Sequence, residues 1–225
     1  RVIWASCMVS CGDADGAVTG NTRRYGASLE KIKRVVDPRP EEIMFGLNMI
    51  VSKGKTVFVG DTSVHEYPSS EQLADIAISA SRVVRLFGFD PKVAFVSHST
   101  FGQPLTSRTK HIKNAVNILK ERNVDFMFDG DMQPDVALNE QYKELYPFSN
   151  IVGNANILIM PGQHSAAISY KMMRELGGAK VIGPLLVGLA QPIEIAPLRS
   201  STSDILNLAS VAAYSAGVID YNKKS

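Results

Sequence analysis

The stretch KTVFVGDTSVHEYPSSEQLADIAISASRVVRLFGFDPKVAFVS, residues 55–97, decides the fold class. It opens on a short β-branched and aromatic run, KTVFVGD (55–61), and closes on another, KVAFVS (92–97), with a segment of helical period, 69–88, between them. In that segment Leu73, Ile76, Ala77, Ala80, Val84 and Phe87 recur three or four apart, Ser69 and Gln72 fit a capping box, and Gly88 supplies the stop. Strand, helix, strand is the repeating unit of α/β proteins.

The same rhythm continues outward. SRTKHIKNAVNILKE (107–121) reads as a helix, VDFMFDGD (124–131) as a strand, NANILIMPG (154–162) as a strand and loop, and HSAAISYKMMRELGG (164–178) as a helix ended by paired glycines. AKVIGPLLVGLAQPIEI (179–195) reads as strand-like pieces broken at Gly183, Pro184 and Gly188. TSDILNLASVAAYSAG (202–217) is a long helix with Ile205, Leu208, Ala209, Ala212, Ala213 and Ala216 on one side; its many Ala and Ser fit a dimer seam or a packed core helix equally. The tail NKKS is expected to fray.

At 225 residues the chain can form one large domain or two lobes sharing a cleft. Its 45% hydrophobic and 20% charged residues are ordinary for a globular protein. A net charge of +2 with interspersed signs argues against nucleic acid, and no apolar run is long enough to suggest a membrane span. Cys7 and Cys11, in an apolar run and without a nearby histidine, fall short of a zinc site and read as buried free thiols in a reducing cytoplasm. RVIWASCMVSC at the start reads like the interior of a fold, so the chain is expected to be a piece of a longer protein.

Ligands of α/β sheets bind beyond the carboxyl ends of strands, and there this sequence is small and polar: VGDTSVHE, SHSTFGQP, FDGDMQPD and MPGQHSAA. Ser97, Ser99, Thr100 and the Gly102 amide offer donors to a phosphate ahead of the helix near Ser107, without the lysine of a P-loop. Asp129, Asp131 and Asp135 lack the spacing of a calcium loop and are expected to serve turns and caps, so no metal is assigned. Of the four histidines, His65, His98, His111 and His164, only His98 is placed in a cleft. No G-x-S-x-G elbow supports a serine hydrolase. GDADGAVTGNTRRYG (12–26) fits a phosphate cradle, a metal site or a punctuated turn, and its residues alone do not choose.

From Asp129 onward the motifs DGDMQPDVAL, GNANILIMPGQHSAAISYKMMRELGGAKVIGPLLVGLAQPIEIAPLR and SDILNLASVAAYSA resemble the C-terminal half of phosphotransacetylases. GDADGAVTG looks like that family's loop before the first helix of the fragment, and SSEQLADIAISAS and FVSHSTFG extend the resemblance over essentially the whole chain. TGNTRRY, GDTSVHEYPSSEQLADIA and YPFSNIVGNANIL are most similar to the version fused to the C-terminus of bacterial NADP-dependent malic enzymes.

The resemblance implies a two-lobed α/β/α sandwich of the isocitrate-dehydrogenase-like type, with residues 1–50 and 187–225 in one lobe and 51–186 in the other. It implies a cytoplasmic homodimer, in a higher oligomer of the full-length protein, with NADP and a divalent metal confined to preceding domains. Its ligand is acetyl-CoA or a related acyl-CoA, contacted by Arg23, Arg24, Ser97, Ser99, Thr100, His164, Ser165, Arg199 and Ser200. Arg199 and Asp204 in the loop APLRSSTSD stand for the family's phosphate-holding arginine and thiol-activating aspartate, although the residue before Arg199 is Leu198 where the enzymes carry serine. Glu30 stands where they carry a CoA-contacting arginine. The resemblance therefore implies a regulatory and oligomerisation domain with a degraded catalytic loop, against two alternatives: a working phosphate acetyltransferase and a ligand-free scaffold.

Overall fold

The computed structural model describes residues 1–224, without the side chains of Arg108, Lys143 and residues 219–224. The chain forms two compact units, one of residues 1–48 and 182–225 and one of residues 49–181.

The first unit is built on a pair of short parallel strands, β1 (Ala17–Gly20) and β8 (Ile193–Ala196), in register from Ala17 opposite Ile193 to Gly20 opposite Ala196. Helices α1 (Val2–Cys11), α2 (Tyr25–Ile32) and α8 (Thr202–Lys224) pack on this ladder or on one another. Helix α8 runs past the expected end at 217 as far as Lys224, and Ser225 of the tail lies outside the described residues.

Two expectations change here. The stretch read as a loop contains β1, and α1 precedes it, capped by Gly12 in the left-handed region (φ 83). Four residues, AVTG, carry too little pattern to announce a strand; they become one by pairing with β8 from the far end of the chain. Cys7 and Cys11 are exposed, not buried. Helix α1 is apolar all round, and its period turns Val2, Ser6 and Val9 inward, leaving Ile3, Trp4, Cys7, Met8 and Cys11 outward.

In the second unit, strands β3 (Lys55–Gly60), β4 (Lys92–Val96), β5 (Met127–Met132) and β6 (Ile157–Ile159) lie in the order β5-β4-β6-β3, with β3–β6, β4–β6 and β4–β5 all parallel. The ladder continues into β2 (Phe45–Ser52) and β7 (Lys180–Val187), the strands in which the chain passes from one unit to the other. Alternation along the strands divides the core. Val59, Ala94, Val96, Leu158 and Met160 join a cluster with Val136 and Ala137 of α5 (Pro134–Leu138) and Ala166 of α7 (Gln163–Gly177). Phe58, Val93, Phe95, Ile157 and Ile159 point the other way, toward α3 (Ser70–Leu86) and α4 (Ser107–Glu121), whose buried stripes are Leu73, Ile76, Ala77, Ala80, Val84 and Ile112, Ala115, Val116, Leu119. Phe58 meets the rings of Phe87 and Phe89 beyond the end of α3.

Both long helices begin with complete capping boxes, Ser69 with Gln72 and Thr106 with Thr109. A short helix α6 (Glu140–Lys143) follows α5. Among the described residues no helix is long and apolar enough to cross a membrane.

Candidate functional site

In the first unit the parallel pairing of β1 and β8 sends two loops out side by side at their carboxyl ends. The Asn21 N–H donates to Ala196 O (2.8 Å), and the Arg199 N–H donates back to Asn21 O (3.3 Å). The approach requires glycine at position 20: with φ +101, a Cβ there would stand 2.3 Å from Ala196 O.

The first loop carries Arg23 and Arg24 and runs straight into α2, whose N-cap, Arg24, provides no side-chain cap. The second carries Arg199, exposed and itself in the left-handed region (φ 63), and runs into α8. Three guanidinium groups and two helix N-termini therefore belong to one pair of strand ends, the elements from which anion sites are made.

The neighbours of Arg199 are differently employed. Leu198 is 55% exposed and has no hydrogen-bonding group. The Ser200 hydroxyl donates to Pro197 O (2.8 Å) inside its own turn. Asp204 closes a capping box on α8: its Oδ2 accepts from the Ser201 N–H (2.9 Å) and hydroxyl (2.8 Å), while the Asp204 N–H donates to Ser201 Oγ (3.2 Å). Glu30 is exposed on α2. Within β8, burial pushes the carboxyl of Glu194 up to about 8, the Leu186 N–H that it accepts (2.9 Å) pulling the other way.

The second unit has its own set of strand-end loops. After β3, the buried Asp61 carboxylate accepts the N–H groups of Ser63 (2.8 Å), Val64 (3.1 Å) and His65 (2.7 Å), and the His65 Nδ1–H (2.8 Å). After β4, the hydroxyls of Ser97 and Ser99 lie 3.1 Å apart, and Ser99 donates to Asp131 Oδ2. The Gly102 N–H donates to Asp131 Oδ1 (3.0 Å), and Thr100 Oγ1 accepts the Gln133 N–H (3.3 Å). Two of the donors that the sequence offers to a phosphate, the Ser99 hydroxyl and the Gly102 N–H, are thus turned onto a carboxylate from the neighbouring strand, and Ser99 is fully buried. Asp129 accepts the N–H groups of Gly130 (2.9 Å) and Asn150 (2.7 Å). Among the described residues no three His, Cys, Asp or Glu side chains gather as a metal-binding group.

A cavity of about 600 Å³ opens at the ends of β4 and β6, between the first turns of α4 and α7. Val96, Ile112 and Met160 contribute its apolar surface, and Ser97, Ser107 and Ser165 its hydroxyls. His98 lines it as expected, but so do His111 and His164. His111 is tied down, its Nε2–H donating to Pro68 O (2.8 Å) and its Nδ1 lying 3.0 Å from Ser70 Oγ. His164 is at the rim, donating through Nε2 to Glu66 (3.1 Å) and stacked on Tyr67 (6.1 Å, 24°). Glu66 and Tyr67 are site residues that the sequence reading passed over: the cue was available in VHEYP, directly after a strand end, but their partner is nearly a hundred residues away.

The sequence model described as phosphate acetyl/butaryl transferase matches residues 1–213. An NADP-dependent malic enzyme of Rhizobium meliloti is 50% identical over 214 residues, which are 95% of this chain and 28% of that enzyme. A phosphate acetyltransferase of Clostridium acetobutylicum is 32% identical, covering 95% of this chain and 67% of that protein. A phosphotransacetylase structure from Streptococcus pyogenes superposes with a TM-score of 0.88 at 28% identity, over 95% of this chain and 66% of the other. The chain thus spans less than a third of the malic enzyme it matches and about two thirds of the free-standing transferases.

Proposed function

Since the chain belongs to the phosphate acetyl/butaryl transferase family, we propose that it works as the acyl-CoA-responsive domain of a cytoplasmic NADP-dependent malic enzyme, binding acetyl-CoA or a close relative and biasing malate decarboxylation elsewhere in the polypeptide. NADP and the divalent metal of that reaction belong, on this reading, to other domains, and the domain also joins two copies of the protein.

The observation that carries the reading is the composition of the β1/β8 strand ends. Arg23, Arg24 and Arg199 with the first turns of α2 and α8 supply what a phosphate-bearing ligand needs: positive charge, forked donors and N–H groups. What acyl transfer needs in addition is a group that takes the thiol proton and a hydroxyl that orients it. Leu198 stands where that hydroxyl is expected, and Asp204 is engaged in the α8 cap with Ser201. Such a site favours binding over turnover.

The test has two arms. Titration calorimetry of the chain with acetyl-CoA is expected to give saturable heat, weakened by Arg199→Ala by roughly 10- to 100-fold, the worth of a charge-assisted hydrogen bond. Acetyl phosphate mixed with coenzyme A is expected to yield no acetyl-CoA above the uncatalysed rate. Robust turnover abolished by Arg199→Ala would overturn the reading in favour of a working transferase, and absence of heat would overturn it in favour of a scaffold.

A further inference from the structure

Strand β5 is the edge of the second unit's ladder, and helix α4 packs along it. Between the two lies a hollow of about 230 Å³, which shares no lining residue with the cavity at the ends of β4 and β6. Phe101 and Phe148 line it as well, their rings meeting edge to face at 4.8 Å. Phe148 is 64% exposed, an apolar surface left in water beside polar walls.

Those walls carry opposite charges. Lys113, Asn117 and Lys120 follow one another at intervals of four and three residues, which sets them on one flank of α4, and all three are exposed. Asp129 and Asp131 enter from β5 and are 5% and 1% exposed. The cations therefore stand toward the mouth and the carboxylates at the base. Among the described residues no ion pair joins either lysine to either aspartate.

Asp129 accepts two backbone N–H groups, and Asp131 accepts the Ser99 hydroxyl and the Gly102 N–H. All four donors are neutral, and a carboxylate has further lone pairs to offer. A buried charge is stabilised fully only by a counter-charge. The base of the hollow thus lacks a cation, and its mouth lacks an anion. A simple anion would face two carboxylates, and a simple cation would have to pass two ammonium groups, whereas a dipolar molecule matches both signs at once.

We propose that this hollow binds a free α-amino acid with an apolar side chain, its ammonium group on Asp129 and Asp131, its carboxylate on Lys113 and Lys120, and its side chain against Phe101 and Phe148. The space is smaller than the ~300 Å³ at which sites for drug-sized molecules begin, as a ligand of that size requires. No residue of the hollow belongs to the β1/β8 strand ends, so the site does not rest on acyl-CoA binding.

The experiment is titration calorimetry of the 225-residue chain with L-phenylalanine and L-leucine, and with two analogues that each lack one charge, 3-phenylpropionate without the ammonium group and phenethylamine without the carboxylate. Both amino acids are expected to give saturable heat, and each analogue to bind roughly tenfold or more weakly than L-phenylalanine, the worth of a charge-assisted contact. Lys113→Gln combined with Lys120→Gln is expected to weaken L-phenylalanine roughly tenfold. Phe148→Ala is expected to weaken it as well. All three side chains are exposed, so these variants should fold, as circular dichroism will check. No saturable heat from either amino acid, an analogue that binds as tightly as L-phenylalanine, or undiminished binding by the lysine variant would overturn the proposal.

Discussion

Replacing Glu194 by glutamine is expected to remove a pH dependence that the fold itself creates. Glu194 is 5% exposed on β8, and burial raises its carboxyl from 4.5 to about 8. Between those values the folded chain holds a proton that the unfolded chain has released, so stability falls as pH rises through the window and levels off above it. At about 1.36 kcal/mol per pH unit the whole window is worth about 5 kcal/mol, of which about 3 kcal/mol is lost between pH 6 and pH 9. Glu194→Gln keeps an oxygen for the Leu186 N–H and cannot ionise. Urea unfolding of both proteins at pH 6, 7, 8 and 9, followed by circular dichroism, should show the variant gaining on the parent by about 3 kcal/mol across the series. Curves that stay parallel would refute the argument.

Gly20→Ala places a Cβ 2.3 Å from Ala196 O at a positive φ; it is expected to cost about 3 kcal/mol or more in urea unfolding and to abolish acetyl-CoA heat, and a variant close to the parent on both counts contradicts the tight approach of the two loops. Asp131→Ala strands the Ser99 hydroxyl and the Gly102 N–H and should destabilise by about 2–4 kcal/mol, with Asp131→Asn, which retains an acceptor, costing less; equal losses would show that the hydrogen bonds are not what matters. Both cysteines are expected to react with a thiol reagent in the native protein, and labelling that waits for denaturant would refute the outward face assigned to α1.

What the sequence disclosed was what its neighbouring residues determine. Helices α3 and α4 begin and end where their period and caps say, since 3.6-residue spacing, Ser69 with Gln72 and the Gly88 turn are all local. Strand β1 and the outward face of α1 were hidden for the opposite reason: one is a strand only by virtue of β8, and the other is apolar on every side, so nothing in its own residues says which side is covered. The site divided in the same way. Hydroxyls and arginines at strand ends were visible as residue types, but their employment was not. Ser99 faces Asp131 because β5 lies beside β4, and His164 finds Glu66 because the loop after β3 reaches the start of α7. Neither neighbour is near in sequence.

On the proposed reading, that division bears on how a transferase scaffold would become a sensor. Cationic loops and helix dipoles attract a phosphate-bearing ligand in its ground state and its transition state alike, and such uniform attraction gives affinity without rate. Rate comes from groups that act only as the bond changes, which on the proposed reading would be a hydroxyl beside Arg199 and a carboxylate free to receive a proton. Loss of the first needs one substitution, to Leu198. Engagement of the second needs only that Ser201 precede Asp204 by three residues, because the capping box then gives the carboxylate a structural task at the start of α8. Neither change touches the β1/β8 ladder that places Arg199 beside Asn21, so the proposed anion-attracting part of the site could persist with the chemical part dismantled.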